Sequence, residues 1–323
     1  MAHKYRSTAL IILAFIFSLL ISCSPRTEVH WYKGNLHTHT TFSDGDTETT
    51  EVIGWYKDNG YNFLAITDHN ITTKAGTYTD LSDSNFILIS GNEISDTSEN
   101  KPVHLLALGL SDIPLERQGG DTVLNALQNN VDAIRRAGAL PVMAHPNFGW
   151  AFDAEEMAQV NNCSLFEVLN THPSVNNDGA EGKASTEEMW DQVLSSGKIL
   201  YGIGDDDMHK LATYPGKSWV MVLSENLTEQ AVLRALAGGR FYVSSGIEIE
   251  DIRASSSRIK IRIKISEGEK YTTQFIGRDG RILKTDTSSK PNYKIRGDEL
   301  YVRTKIINAK GQVALTQPVF IGN

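Results

Sequence analysis

Short apolar runs separated by helical patterns organise most of this chain. Apolar stretches end at His37, Thr67, Glu93, Leu108, His145, Leu169, Gly204 and Leu223, each with the length expected of a strand. Between them, Val123, Leu127, Val131 and Ile134 recur at helical spacing, and Gly138 supplies a stop. Ser185 with Glu188 forms a capping box, and Gly197 would close that helix. Strand–helix alternation from residue 31 to about 239 predicts parallel strands in a barrel-like α/β domain.

After residue 239 the period changes. Residues 258–265 read Arg-Ile-Lys-Ile-Arg-Ile-Lys-Ile, a two-residue alternation that fits a strand with one wet face. Asp279-Gly280 and Lys310-Gly311 are hairpin turn signals between further alternating runs. Residues 31–240 therefore form the α/β unit, and 241–323 a small antiparallel β domain.

At 323 residues, 40% hydrophobic and 22% charged, the chain can bury one barrel-sized core plus a smaller one. Its net charge of −8 argues against general nucleic-acid binding. Residues 1–22 read as a targeting segment. Lys4 and Arg6 precede an apolar run, 9–20, that is short for a membrane span. Leu20-Ile21-Ser22-Cys23 then resembles a bacterial lipoprotein signal. That resemblance implies cleavage before Cys23, lipid on its thiol, and an exported protein anchored on the periplasmic side or at the cell surface. A plain secretory signal is the other reading. Residues 23–30 would be a tether, and Cys163 a buried apolar residue.

The chemistry clusters at the strand ends. His37-Thr38-His39 and Asp207-Met208-His209 each place two metal-ligating side chains two residues apart, on one face of an extended chain. Asp44, His69, Glu93 and His145 stand near the ends of other apolar runs, and His104 opens one. In parallel α/β barrels such ends share one mouth. Singly, each residue reads more simply as a hydrogen-bonded or turn-forming group. Jointly, nine acidic and imidazole groups converging on one mouth point to a multinuclear metal site. His172 reads first as solvent-exposed, with the pocket wall as the other reading; Asn147 and Asn170 are further pocket candidates, while Lys183, Lys210, Lys217 and Arg240 read first as solvated surface. Phe148 and Trp150 read first as loop packing.

These motifs resemble the polymerase and histidinol phosphatase (PHP) family. Residues 36–45, Leu-His-Thr-His-Thr-Thr-Phe-Ser-Asp-Gly, are similar to its first motif. Thr67-Asp68-His69-Asn70 is similar to the second, His145-Pro146 to the third and Asp207-Met208-His209 to the fourth. Gly91-Asn92-Glu93-Ile94-Ser95 and His104 stand where the family places intermediate ligands. Gly204-Asp205-Asp206-Asp207 departs from the family, which commonly shows Ser before the ligand Asp. The resemblance covers residues 31–223. It implies a distorted (β/α)7 TIM-like barrel and two or three divalent ions, with manganese, zinc and iron(II) suited to imidazole and carboxylate ligands. One site would use His37, His39, Glu93 and Asp207. A second would use Glu93, His104 and His145, and a third Asp44, His69 and His209. Asp68 would support a ligand imidazole.

The family points to a phosphoesterase acting on a small phosphorylated molecule, such as a nucleotide or sugar phosphate. Two ions about 3.5–4 Å apart can share a water and lower its pKa toward neutrality, and the hydroxide would attack phosphorus in line. His37, His39, Glu93, Asp207 and His209 would act through those ions. The same ions could instead serve cleavage of a carboxylic ester, amide or carbamate. A non-catalytic metal-binding lipoprotein is the remaining reading.

Overall fold

The computed structural model describes residues 28–111 and 115–322. The targeting segment, most of the tether and Cys23 lie outside the described residues.

The chain begins β1 (His30–Asn35), α1 (Thr49–Asp58), β2 (Phe63–Ala65), β3 (Ile87–Ile89), β4 (Gly91–Ser98) and β5 (Lys101–Leu108). It continues α2 (Val123–Arg136), β6 (Leu140–Met143), α3 (Ala154–Gln159), β7 (Leu165–Asn170), α4 (Thr186–Ser195), β8 (Tyr201–Asp205), β9 (Trp219–Ser224) and α5 (Glu229–Ala237). Nine strands follow: β10 (Phe241–Ser244), β11 (Ile249–Ala254), β12 (Arg258–Ile263), β13 (Tyr271–Ile276), β14 (Ile282–Asp286), β15 (Asn292–Lys294), β16 (Tyr301–Asn308), β17 (Val313–Thr316) and β18 (Val319–Phe320).

The helices form where local chemistry favours them. In α2, Val123, Leu127, Val131 and Ile134 are buried on one stripe. Thr122 caps its first turn by accepting from the Asn125 N–H, and Gly138 leaves it at φ +79°. Ser185 and Glu188 complete a reciprocal capping box on α4.

A closed (β/α)7 barrel is not formed as one hydrogen-bonded ring. The strands divide between a ten-stranded sheet, a five-stranded sheet ordered β4-β5-β6-β7-β8, and a three-stranded sheet ordered β11-β12-β15. Strands β1-β2-β3 and β6-β7-β8 are parallel as expected, but β4-β5-β6 run antiparallel and β9 runs antiparallel to β1. The reason is local. The apolar run ending at Glu93 breaks at Ser90, and Glu93 lies inside β4 rather than at a strand end. Glu99 and Asn100 then both take left-handed φ, +52° and +59°, between the paired Ser98 and Lys101. That is a two-residue hairpin turn, so no helix connects β4 to β5. His104 accordingly sits in the middle of β5, opposite Ser95.

The C-terminal strands are not a separate sheet. Strand β10 pairs with both β9 and β17, so the ten-stranded sheet runs without interruption from β3 to β14. Strand β12 keeps the expected alternation, with Ile259, Ile261 and Ile263 buried in a core that includes Tyr242, Phe275 and Tyr293. Helix α4 is clamped to β16 by charge. Asp191 accepts from Arg303 Nε at 2.7 Å and Nη2 at 2.6 Å, and from the Tyr301 hydroxyl at 2.8 Å. Glu187 pairs with Arg303 Nη1 at 3.2 Å and with Lys305, while the guanidinium lies over the Trp190 ring. Cys163 is buried, and burial pushes its thiol pKa up. Among the described residues, no helix is long and apolar enough to cross a membrane.

Candidate metal centre

The ten- and five-stranded sheets meet at isolated bridges, and two of these carry site residues. Thr38 bridges Met208 just beyond β1 and β8, and His69 bridges Glu93 beyond β2. The His39 N–H donates to the Met208 carbonyl at 2.8 Å, so the two His/Asp triplets lie side by side. Met208 is buried in the core beneath α1, and the flanking residues of each triplet share one face. The loop carrying Asp44 folds tightly back on this bridge. A Cβ on Gly45 would stand 2.7 Å from the His39 backbone.

All nine residues read from the sequence come together. Glu93 is central and fully buried. Its Oε2 lies 3.3 Å from His37 Nε2, 3.3 Å from His39 Nε2 and 2.8 Å from His69 Nδ1. Its Oε1 lies 2.9 Å from His104 Nδ1 and 3.1 Å from His145 Nε2. Asp207 Oδ1 lies 3.3 Å from His37 Nε2 and 3.2 Å from His39 Nε2. Asp44 reaches His209 at 3.3 Å and His69 and His39 at 3.5 Å. Ligand atoms of His39, Asp44, His69 and His209 fall within 4.8 Å of one another, as do those of His37, His145 and Asp207. His39 therefore reaches the third expected group, and His145 also approaches Asp207.

Two atoms decide what this arrangement suits. Glu93 Oε2 and Asp207 Oδ1 are buried and accept no hydrogen bond, although imidazole nitrogens surround both. Ligand atoms of His37, His39 and Glu93 lie within 4.8 Å of one another, as do those of His37, His145 and Asp207. A buried carboxylate oxygen without a donor is costly, and a cation at such a point would remove that cost. Imidazole with carboxylate fits a divalent transition ion and disfavours calcium.

Without an ion, the groups neutralise one another. Burial alone would raise the Glu93 carboxyl, but the His37 and His104 charges and the imidazole hydrogen bonds hold it well below the usual range. Burial opposes charge on His69 too, yet the carboxylates of Asp44 and Glu93 beside it raise its pKa to about 10. His37 is also raised against its burial, by Asp207, Glu167 and Glu93. His104 goes the other way, because its burial outweighs the attraction of Glu93.

Glu167 was not found from the sequence. Its Oε1 lies 2.6 Å from His37 Nδ1, and its Oε2 accepts from the His145 N–H at 2.7 Å and from Asn170 Nδ2 at 2.9 Å. Asn170 also donates to Asp207 Oδ2 at 3.0 Å, so Glu167 and Asn170 orient three of the nine. The available signal was a lone carboxylate inside the apolar run Leu165-Phe166-Glu167-Val168-Leu169. Asp68 differs from expectation. It accepts from the Thr40 N–H, the Thr40 hydroxyl and the Ser43 hydroxyl, and so braces the loop rather than an imidazole. Ser95, whose Oγ lies 2.5 Å from His69 Nδ1, is the hydroxyl beside that ring.

The three consecutive aspartates separate by environment. Asp207 faces the cluster. Asp206 accepts the N–H groups of Gly216, Lys217 and Ser218 and the Tyr56 hydroxyl. Asp205 is buried with neither oxygen hydrogen-bonded, and burial together with Glu167 raises its carboxyl well above the usual range. The His172 ring lies tilted against that of His209, 4.9 Å between centroids, and Phe148 lies 5.2 Å from the His145 ring. Lys183 rests over Trp150, and Arg240 lines a cavity with Trp31, at the far end of β1. Asn147 is buried and donates to the Asn176 and Ala184 carbonyls.

No protein-family model matches the chain, and no curated protein does either. Solved structures do. A two-domain protein from Bacteroides vulgatus, containing a predicted PHP-like metal-dependent phosphoesterase, aligns over 86% of this chain and 90% of its own. The TM-score is 0.54 at 15% identity. The chain shares the fold of that two-domain protein. Two looser likenesses carry no weight for fold or function. One is an amidohydrolase from Chromobacterium violaceum with bound sulfate and no metal: TM-score 0.41, 16% identity, 55% of this chain and 88% of that one. The other is a Bifidobacterium adolescentis protein to which a metal-dependent phosphoesterase activity is ascribed: 0.43, 18%, 63% and 95%.

Proposed function

We propose that the protein is a metal-dependent hydrolase that cleaves phosphate esters of a small molecule, such as a nucleotide or sugar phosphate. The observation that carries this reading is the pair of buried, donorless oxygens on Glu93 and Asp207, ringed by imidazole nitrogens. His37, His39, Asp44, His69, Glu93, His104, His145, Asp207 and His209 would hold two or three divalent ions. Bound there, manganese, zinc or iron would supply Lewis acidity toward the phosphoryl oxygens and an acidified water.

The chain's own residues position and shield. Glu93 presents one oxygen to His37, His39 and His69 and the other to His104 and His145, so it would help hold ions on both sides. Glu167 fixes the His37 ring through Nδ1, which leaves Nε2 turned to the cluster. His172, half-buried against His209 and kept below its usual pKa by burial, is placed to move a proton at the mouth.

A second reading has a specific observation behind it. Among the described residues, no Lys or Arg side chain pairs with any of the nine. A site without such a cation suits a carboxylic ester, amide or carbamate equally well. The deciding experiment is metal analysis of the mature protein, followed by a panel of phosphate monoesters, diesters and carboxylic esters under saturating manganese or zinc. Phosphate release supports the first reading. Turnover confined to carboxylic substrates replaces it with the second.

Export with lipid on Cys23 belongs to the same proposal, supported by the Leu20-Ile21-Ser22-Cys23 sequence. Labelling of the wild type with radioactive palmitate, absent from Cys23→Ser, tests it.

A further inference from the structure

The outer face of the three-stranded sheet is basic in a chain that is acidic overall. Arg258, Lys260 and Arg262 project from β12 opposite its buried isoleucines. Arg253 on β11 and Lys294 on β15 join them, and Lys290 lines the same shallow concavity. Acidic neighbours neutralise part of this face. Asp251 pairs with Arg253, Glu250 with Arg262 and, at its edge, Glu248 with Lys264. Among the described residues, Arg258, Lys260, Lys290 and Lys294 make no ion pair.

The register makes this costly. Arg253 stands directly opposite Lys260, and Arg258 directly opposite Lys294. Like charges facing each other across neighbouring strands destabilise a sheet. Asp251 offsets the first pair through Arg253, but among the described residues no acidic side chain pairs with Arg258 or Lys294; a dense external array of negative charge would relieve that second pair.

The chain's entry point says which array. Strand β1 starts against this sheet: Trp31 Nε1 donates to the Glu250 carbonyl at 3.2 Å, and the indole rests edge-on against Tyr242. Only six residues, 24–29, lie between Cys23 and His30, and the seven Cα-to-Cα steps reach at most about 25 Å. A lipid on Cys23 would hold this sheet, and not the metal centre at the other end of β1, within that distance of the bilayer.

We propose that the basic face of β11, β12 and β15 docks on anionic lipid headgroups of the membrane that carries the anchor. This rests on the lipid reading of Cys23 for its membrane, and on the sheet alone for its charge. Docked so, the protein would turn the metal centre toward the aqueous side.

The test uses the full chain carrying Cys23→Ser, so that no lipid contributes, sedimented with vesicles of phosphatidylcholine alone or with phosphatidylglycerol added. The expected result is binding that is stronger on the anionic vesicles, weakens with salt, and falls roughly tenfold or more in Arg258→Glu/Lys260→Glu/Lys294→Glu. Comparison of that variant with its parent cancels any contribution from the apolar N-terminal run. Circular dichroism and the melting midpoint confirm that the variant is folded; if it is not, Lys260→Glu and Lys294→Gln singly must each give a smaller loss. Equal binding by a folded variant and its parent overturns the proposal. So does tight, face-dependent binding to a short DNA duplex with no vesicle binding, which would make the face a nucleic-acid surface. If palmitate labelling shows Cys23 unmodified while face-dependent vesicle binding persists, the anchor falls and the face stands.

Discussion

The metal-centre residues and the Asp191–Arg303 clamp both bury charge, but they close their accounts differently. At the clamp each strong donor has an acceptor. The guanidinium makes two bonds to Asp191 and one to Glu187, and Tyr301 fills the remaining side of Asp191. At the metal centre, Glu93 and Asp207 keep oxygens with no donor, and Asp205 has two such oxygens. A complete network holds an element in place, here α4 against β16. An incomplete one is maintained at a cost to folding and marks where a ligand belongs.

The sharpest way to break this contrast is to remove a central carboxylate. Glu93→Gln or Asp207→Ala should abolish stoichiometric metal and lower kcat/KM about a thousandfold or more, given the several kcal/mol that such ions supply. Elemental analysis and steady-state kinetics read both effects, and unchanged metal content in either variant would break the assignment. Asp191→Ala should do the reverse. It strands Arg303, which is 2% exposed, and should cost ~3–5 kcal/mol in urea unfolding, with metal content per folded molecule unchanged.

Smaller changes sharpen the same line. Glu167→Gln keeps the shape but loses the charge behind His37 and should weaken metal affinity about 10- to 100-fold in chelator competition. The pH dependence has a defined sign. The His69 pKa is about 10 without metal, so at neutral pH its imidazole must shed a proton to ligate. Metal uptake should therefore release protons, and apparent affinity should fall as pH drops from 8 to 6, measured by calorimetry in buffers of different ionisation enthalpy. Least of all, Ser185→Ala removes the α4 cap, which is not among the nine clustered residues, and should cost ~1 kcal/mol, read as a lowered melting midpoint.

What could be read from the sequence follows the range of the physics involved. Ligands at two-residue spacing, the α2 stripe, the Ser185 capping box and the β12 alternation depend on near neighbours, and each stands where its spacing put it. The Glu99–Asn100 turn is equally local, but Glu seldom takes positive φ and Asn100 is followed by Lys rather than the usual Gly, so the β4–β5 hairpin and the unclosed barrel were hidden. Glu167 was hidden for another reason. Its partners His37 and His145 are 130 and 22 residues away, and only the fold brings them together. Three adjacent aspartates could be told apart only by what surrounds them.

The run of pairing from β9 through β10 into β17 has a consequence for how the protein comes apart. A chain cut at residue 240 would leave β9 with bare amide and carbonyl groups along one margin, an invitation to clumping. The portion that carries the candidate metal centre is thus not a detachable module. Calorimetry of the intact chain should record a single endotherm, with both ends surrendering their structure together.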